Sequence, residues 1–355
     1  MFLSVGVDIP PESLDHIPLI ETMKNTESFI SLDQMLYLTR RFSVSLPRDH
    51  VIDILGLASD INADDINLLA NYVDSTTDYF KIFMQWSIEK NKNLDCLSSD
   101  FDPANISDSS LPSWMPDVRS WDRQPGMPRS MCGFKAAMNS VPNMSFSSET
   151  SQLQITGSNI DQIATLGTMP PENVDLDLVE TDDHYQDHLI NSQLVTERDR
   201  TWLLECKSIA TSDFNTPDSP GFLFFIRTLI WNMPGTPNPY SPEQLSTIFE
   251  QYIRETETRT HDDAAPYIDP VVISFVGTFS VGRRFARTTS GRLGSMPRFA
   301  VVGDRICLFE GGRMPYVVRP YGGGRYTFLG DCYLDGVMYG EGMVEGRKVE
   351  EFSIV

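Results

Sequence analysis

The chain has 355 residues, 41% hydrophobic and 22% charged, enough for a real core and for two domains, with room for a third. Its 28 basic residues against 49 acidic ones leave a net charge of −21. That balance repels phosphate backbones and anionic lipid heads over a Debye length of about 10 Å, so neither nucleic acid nor a membrane is expected as a partner. A local exception would have to come from Arg283, Arg284, Arg287 and Arg292. The five cysteines (Cys96, Cys132, Cys206, Cys307, Cys332) are far apart, with no Cys-x-x-Cys pair. They read as buried thiols of a reducing compartment, not as a zinc clip or a disulfide framework. The first residues, MFLSVGVDIPPESLDH, lack the basic start and long apolar run of a signal peptide. The apolar run Val271 to Phe279 is far below membrane-spanning length. A cytoplasmic location is expected, with the sequons at Asn105 and Asn143 as chance matches.

Residues 1–30 show no periodicity and read as a loose arm. From 31 to 282 the pattern is mainly helical. Leu32, Met35, Leu36, Leu38 and Phe42 form an apolar stripe, and a second short helix fits Arg48 to Ala58. Asp74 or Ser75 can cap a third helix, in which Tyr79, Ile82, Phe83 and Trp86 recur at three- and four-residue steps, as a core face does. Residues 97–130, with Pro103, Pro112, Pro116, Pro125 and Pro128, read as a long connection pinned by Trp114 and Trp121. Leu153 and Ile155 alternate with Gln152 and Gln154, predicting a strand that ends at Gly157. An acidic stretch, Glu172 to Asp187, precedes helices over 195–209, 222–232 and 241–254. The last has Ser241 at its N-cap, Pro242 next and Gln244 at the third position.

From Arg283 the texture changes to short strands, 298–302, 305–309, 316–319 and 326–329. Turns at Gly303-Asp304, Gly311-Gly312 and Gly322-Gly323-Gly324 separate them. The expected fold is α+β: a helical body, then a small C-terminal antiparallel β-module over 283–355, barrel- or sandwich-like. Phe285, Val301, Ile306, Leu308, Tyr316, Val318, Phe328 and Tyr333 are its predicted core.

No catalytic, cofactor-binding or metal-binding residue is assigned. There is no G-x-x-x-x-G-K-S/T loop, and Gly322 to Gly324 lies between strands, without a helix N-terminus to hold an anion. Gly340-Glu341-Gly342 is equally weak as a nucleotide fingerprint. His184 and His188, beside Asp182, Asp183 and Asp187, have metal-ligand spacing on a helix, but the acidic setting reads as a solvated face. His261-Asp262-Asp263 reads the same way. Ser87-Ile88-Glu89-Lys90 matches S-x-x-K without its companion motifs.

Three late segments point to a family. Arg284-Phe285-Ala286-Arg287-Thr288-Thr289-Ser290-Gly291-Arg292-Leu293-Gly294 leads to Val302-Gly303-Asp304, then to Gly311-Gly312-Arg313-Met314-Pro315-Tyr316-Val317-Val318-Arg319. Gly330-Asp331-Cys332-Tyr333-Leu334-Asp335-Gly336-Val337-Met338-Tyr339-Gly340-Glu341 follows. This order resembles the C-terminal region of fungal heterokaryon-incompatibility (HET-domain) proteins. Earlier pieces agree in sequence: Leu46 to Ala58, Tyr72 to Ser75, Leu111 to Asp117, Ile155 to Ile163 and Phe225 to Ile230. The family's defining N-terminal domain would precede residue 30, and its "Leu-Ser-Tyr-x-Trp-Gly" and "Trp-Ile-Asp-x-x-Cys-Ile-Asn-Gln" motifs do not occur there.

The resemblance implies a regulatory or interaction protein of fungal non-self recognition and programmed cell death, expected to lack the effector domain and to bind a protein partner. No enzymatic activity and no cofactor are expected. The alternative is an accessory protein or enzyme of a fungal secondary-metabolite gene cluster. Arg319 is expected to pair with Asp331 or Glu341.

Overall fold

A computed structural model describes residues 31–39, 44–70, 75–98, 112–115, 132–147, 151–171, 197–210, 220–231, 242–258, 276–277 and 279–355. Among them are seven α-helices and nine strands in an α+β arrangement. The N-terminal helical layer holds α1 (Leu32–Leu38), α2 (Asp49–Ile52), α3 (Ala63–Leu69), α4 (Thr76–Asn91) and the 3-10 turn Asp95–Ser98. Ser75 caps α4 by accepting the Asp78 N–H at 3.2 Å. Asn62 and Asp65 form a reciprocal capping box on α3. The α4 stripe is core as expected, with Tyr79, Phe83 and Trp86 buried. The helix expected over Arg48 to Ala58 is shorter. After Ile52 the N–H groups of Ile54, Leu55 and Leu57 bond three residues back, so the chain tightens into turns before Gly56.

The second helical group is α5 (Glu197–Ala210), α6 (Pro220–Ile230) and α7 (Pro242–Thr258), close to the expected spans. Ser241, the expected cap, lies outside the described residues, as do Trp121 and the acidic stretch 172–187. Trp202, Leu203, Phe225, Leu229 and Phe249 pack with Phe285, Leu293 and Tyr333, so this group lies on the β-module through a core of its own.

The strands are β1 (Met144–Phe146), β2 (Leu153–Leu166), β3 (Arg283–Thr288), β4 (Leu293–Pro297), β5 (Arg305–Phe309), β6 (Tyr316–Gly322), β7 (Arg325–Asp331), β8 (Tyr333–Leu334) and β9 (Glu350–Ile354). The strand expected to end at Gly157 continues to Leu166 and organises the sheet. Leu153 to Gly157 pair with β9, and Gly157 to Gln162 pair with β5. Gly157 faces both Glu350 and Phe309, so these partners flank β2 on opposite sides. Antiparallel β5–β6 and β6–β7 ladders and a parallel β7–β9 ladder complete a closed ring of β2, β5, β6, β7 and β9. Closure removes the exposed edges of those strands. A Cβ on Gly157 would stand 2.6 Å from the Phe309 ring, so the seam of the ring requires glycine. Past the seam, Ile163 to Leu166 carry β3, then β4 and β8.

Both faces of the β5–β6–β7 ladder are covered. Cys307, Phe309, Tyr316, Val318 and Phe328 meet the N-terminal helices, while Ile306, Val317 and Leu329 meet Ala286, Met296 and Leu334. Seven of the eight predicted core side chains are buried, Val301 being the exception at 46% exposure. Residues 298–302, expected as a strand, form turns. Asp304 Oδ2 accepts the Val301 N–H at 2.8 Å, and the Ala300 N–H bonds to Pro297 O. A side chain that offers the backbone a local acceptor competes with a ladder. Trp114 is buried as expected and donates to Ser151 O at 3.0 Å. Its neighbour Ser113 accepts the Phe328 N–H and donates to Val355 O, tying β7 to the chain end.

Candidate functional site

Three buried aspartates, Asp161, Asp304 and Asp331, each anchor a set of charged or polar partners in and around the motif segments. Asp161, in the middle of β2, has a side chain 1% exposed. It accepts from the Gln162 N–H (2.9 Å), Thr289 Oγ1 (2.9 Å), the Ser290 N–H (3.3 Å), Ser290 Oγ and Arg292 Nη1 (3.4 Å). Burial alone would raise its carboxyl. The hydrogen bonds, led by Ser290 and the Gln162 N–H, outweigh that and hold it below the usual carboxylate range. Asp161 thus pins the Thr288–Arg292 turn to β2. Among the described residues no histidine is among these partners.

Arg319 pairs with Asp304, not with the expected Asp331 or Glu341. Its Nε and Nη2 each lie 2.9 Å from an Asp304 oxygen, and Nη2 also donates to Phe299 O. The fork matches a carboxylate bidentately, which raises the Arg319 pKa. Asp331 belongs instead to Arg283, whose Nη1 donates to Asp331 O at 2.6 Å and whose Nη2 meets the carboxylate. The Arg283 guanidinium also stands 5.0 Å over the Trp231 ring, joining the end of α6 to the barrel. Arg284 donates to Gly167 O and Ala300 O. Of the late basic cluster Arg283 is buried, Arg284 and Arg287 are half-buried, and Arg292 is exposed.

The neutral part of the motif builds a surface. The segment around Phe134–Pro142 stitches two glycine turns together. Ala136 and Ala137 donate to Arg313 O and Gly312 O, Lys135 donates to Met338 O, and Ser140 Oγ accepts the Gly311 N–H. Met138 adopts a left-handed backbone (φ 56°), and a Cβ on Gly340 (φ +100°) would stand 2.5 Å from Met138 Cγ. Gly340 is needed both for its angle and for this close approach. Along this segment Met138 (57% exposed), Val141 (60%) and Tyr339 (43%) face solvent, with the Tyr339 ring 5.9 Å from Phe134.

The cysteines are buried, and burial pushes the Cys96, Cys206, Cys307 and Cys332 thiols up, away from the nucleophilic thiolate. Ser87 is buried, and Lys90 pairs with Asp65 at 2.7 Å, so S-x-x-K is part of helix packing. Gly322, Gly323 and Gly324 all have positive φ at a hairpin tip, as expected of a turn. His184, His188 and His261 lie outside the described residues. Among the described residues no group of three His, Cys, Asp or Glu could hold a metal, and no helix is long and apolar enough to cross a membrane.

Sequence reasoning missed Asp161. An aspartate amid the apolar alternation of Ile155 to Ile163 is its only local signal.

Residues 274–355 match the model of the Het-6 beta-barrel domain. The chain is also similar to heterokaryon incompatibility protein 6, OR allele, of Neurospora crassa, with 24% identity over 359 aligned positions. The alignment covers 88% of this chain and 51% of the relative, so the chain spans about half the length of that curated protein. No solved structure matches. The C-terminal β-module thus matches the Het-6 beta-barrel domain over residues 274–355, and the chain that carries it is similar to a fungal heterokaryon-incompatibility protein.

Proposed function

We propose that the chain is a regulatory component of fungal heterokaryon incompatibility that acts by binding a protein partner and not by catalysis. One observation carries the reading: buried carboxylates tie the motif's strands and turns together, while Tyr339 of the motif and the Phe134–Pro142 segment packed on it turn apolar side chains outward. Asp161, Asp304, Arg319, Arg283 and Asp331 hold turns and strands together, whereas Met138, Val141 and Tyr339 face solvent on a glycine-supported frame. Exposed apolar groups set on a rigid scaffold suit protein contact. A cytoplasmic setting, where unlike nuclei and proteins meet after hyphal fusion, belongs to the same proposal.

The test is fusion between otherwise identical fungal strains that do and do not express residues 1–355, scored by viability of the fused cells. Incompatibility that depends on the chain supports the role. Its loss in a Met138→Glu, Val141→Glu double variant that still melts cooperatively supports the surface. Viability unaffected by the chain refutes the role, and a fully active double variant refutes the surface.

A further inference from the structure

The β3–β4 hairpin turns through Thr288–Arg292, and Thr289, Ser290, Gly291 and Arg292 are exposed in succession. Gly291 supplies the left-handed angle (φ +87°) that closes the turn. The tip is held to itself by the Thr288 N–H on Arg292 O at 2.9 Å and the Gly291 N–H on Thr288 O at 3.0 Å. Other bonds hold it to β2. The Thr289 N–H donates to Gln162 O at 2.9 Å, and Thr289 Oγ1 and Ser290 Oγ donate to Asp161. One set of bonds therefore folds the turn and a second set docks it.

Ser290 is an exposed residue whose hydroxyl proton serves the docking. Its Oγ gives that proton to Asp161 Oδ2, and Arg292 Nη1 lies 2.9 Å from the same Oγ and 3.4 Å from Oδ2. Arg287, three residues ahead of Ser290, brings Nη2 to 4.0 Å from the position of a Cβ on Gly291. Arg-x-x-Ser is the pattern accepted by the acidic substrate groove of an arginine-directed protein kinase, because a guanidinium pairs with carboxylates in a fixed fork. Two other described serines or threonines stand three residues after an arginine, and neither lies in an exposed turn. Ser295 is buried in β4, and Thr201 lies in helix α5.

We propose that Ser290 is a phosphorylation site for an arginine-directed protein kinase, and that the phosphate undocks the β3–β4 turn from β2. In the transfer Ser290 Oγ bonds the γ-phosphorus of a nucleoside triphosphate as the β–γ bridging P–O bond breaks. The hydroxyl proton passes to the kinase's catalytic base, and the diphosphate leaves. The product has lost its O–H donor and carries about 1.5 to 2 negative charges. In the docked position those charges would face the Asp161 carboxylate, whose side chain is 1% exposed. Two anions repel where a donor and an acceptor had met. Arg287 and Arg292 hold the phosphate outside instead, and the turn keeps its own Thr288 and Gly291 bonds as it leaves Gln162. Lifting of the turn brings Ser290 away from Asp161 and within reach of the kinase, so the lifted form is the one modified and the phosphate prevents its return.

The test treats the full chain with magnesium ATP and the catalytic subunit of cyclic-AMP-dependent protein kinase, an arginine-directed enzyme, and locates the phosphate by mass spectrometry. A synthetic peptide of residues 284–294 is the control substrate. Phosphate at Ser290 of the chain is expected, with none in Ser290→Ala. A modified peptide beside a chain unmodified at Ser290 shows that the fold closes the site, and an unmodified peptide removes the arginine-directed assignment. Either result overturns the proposal. Amide exchange then reads the undocking. Loss of a charge-assisted hydrogen bond is worth about tenfold or more in opening, so the Thr289 N–H should exchange at least about tenfold faster in the phosphorylated chain. The Thr288 and Gly291 amides, bonded within the turn, should change less. Ser290→Ala, which removes the bond without adding charge, should accelerate Thr289 less than the phosphate does. Equal exchange at Thr289 with and without the phosphate, or an equal effect of Ser290→Ala, overturns the switch.

Discussion

The Het-6 barrel and the helical layer on it bury charge under opposite conditions. In the barrel each buried carboxylate meets a guanidinium or a full set of donors: Asp304 with Arg319, Asp331 with Arg283, Asp161 with the Thr289–Arg292 turn. At the helix–barrel junction Arg313 meets Asp95, and burial first, then the Asp95 and Asp60 charges, raise the nearby Asp33 carboxyl to about 7. The helical layer also has one well-matched buried charge. Asp65 takes Trp86 Nε1 and Lys90 Nζ, both at 2.7 Å, and these hydrogen bonds overcome burial to lower its pKa. Partner supply, not element type, decides whether a buried carboxylate stabilises its surroundings or depends on a proton.

The largest test of this division concerns β2. The family match begins at 274, yet the ring needs Leu153–Gln162 to join β9 to β5. Residues 274–355 produced alone should give no cooperative melt, while residues 132–355, which restore β2, should give one. A cooperative melt from the shorter piece would mean that the ring closes without β2.

Asp331→Ala should be the costliest single change among the charged sets, because it removes the carboxylate that meets the buried Arg283 guanidinium beneath Trp231. Removing one partner of a buried pair costs about 3–5 kcal/mol, measurable as a shift in urea midpoint. A cost under about 1 kcal/mol would show that the barrel pairs are not matched as described.

Gly340→Ala should cost roughly 1–3 kcal/mol, since alanine resists the positive φ and meets Met138. A Met138→Ala background should recover the steric part and leave the backbone part, and a double-variant cycle in urea separates the two.

Acid should divide the regions in opposite senses. Asp161, with its pKa lowered in the fold, stabilises above the ordinary carboxyl value and loses that stabilisation as pH falls below about 4. Asp33, with its pKa raised, adds stability as pH falls from 7 toward 4. Asp161→Asn should flatten the melting-temperature profile below pH 4 and leave the Asp33 window unchanged. The smallest effect belongs to the surface. Lys81→Ala, which removes an exposed pair with Asp78, should change stability by at most about 0.5 kcal/mol.

Much was legible before the fold was known. Local rules sufficed where the determinant is a few neighbouring residues: the Ser75 cap, the Tyr79–Phe83–Trp86 stripe, strand 305–309 and the glycine turn at 322–324. The ordered motif segments likewise pointed to the family whose barrel domain matches residues 274–355. The turn at 298–302 escaped because its determinant, Asp304, acts through a side chain on the backbone and leaves no hydrophobic signature. Arg319 was matched to the wrong carboxylates because Asp304, Asp331 and Glu341 are equivalent charges along the chain, and the β5–β6 register alone brings Asp304 to it.

The sequence by itself determined the α+β composition, the approximate spans of α5 to α7, most of the barrel's apolar interior and the position of its glycine turns, because periodicity and glycine act within a few residues. Only the tertiary structure decided that β2, more than a hundred residues upstream of β3, closes the ring, and which partner each buried charge receives. Strand closure and ion pairing join residues distant in the chain, and their energies depend on burial and distance that no local pattern encodes.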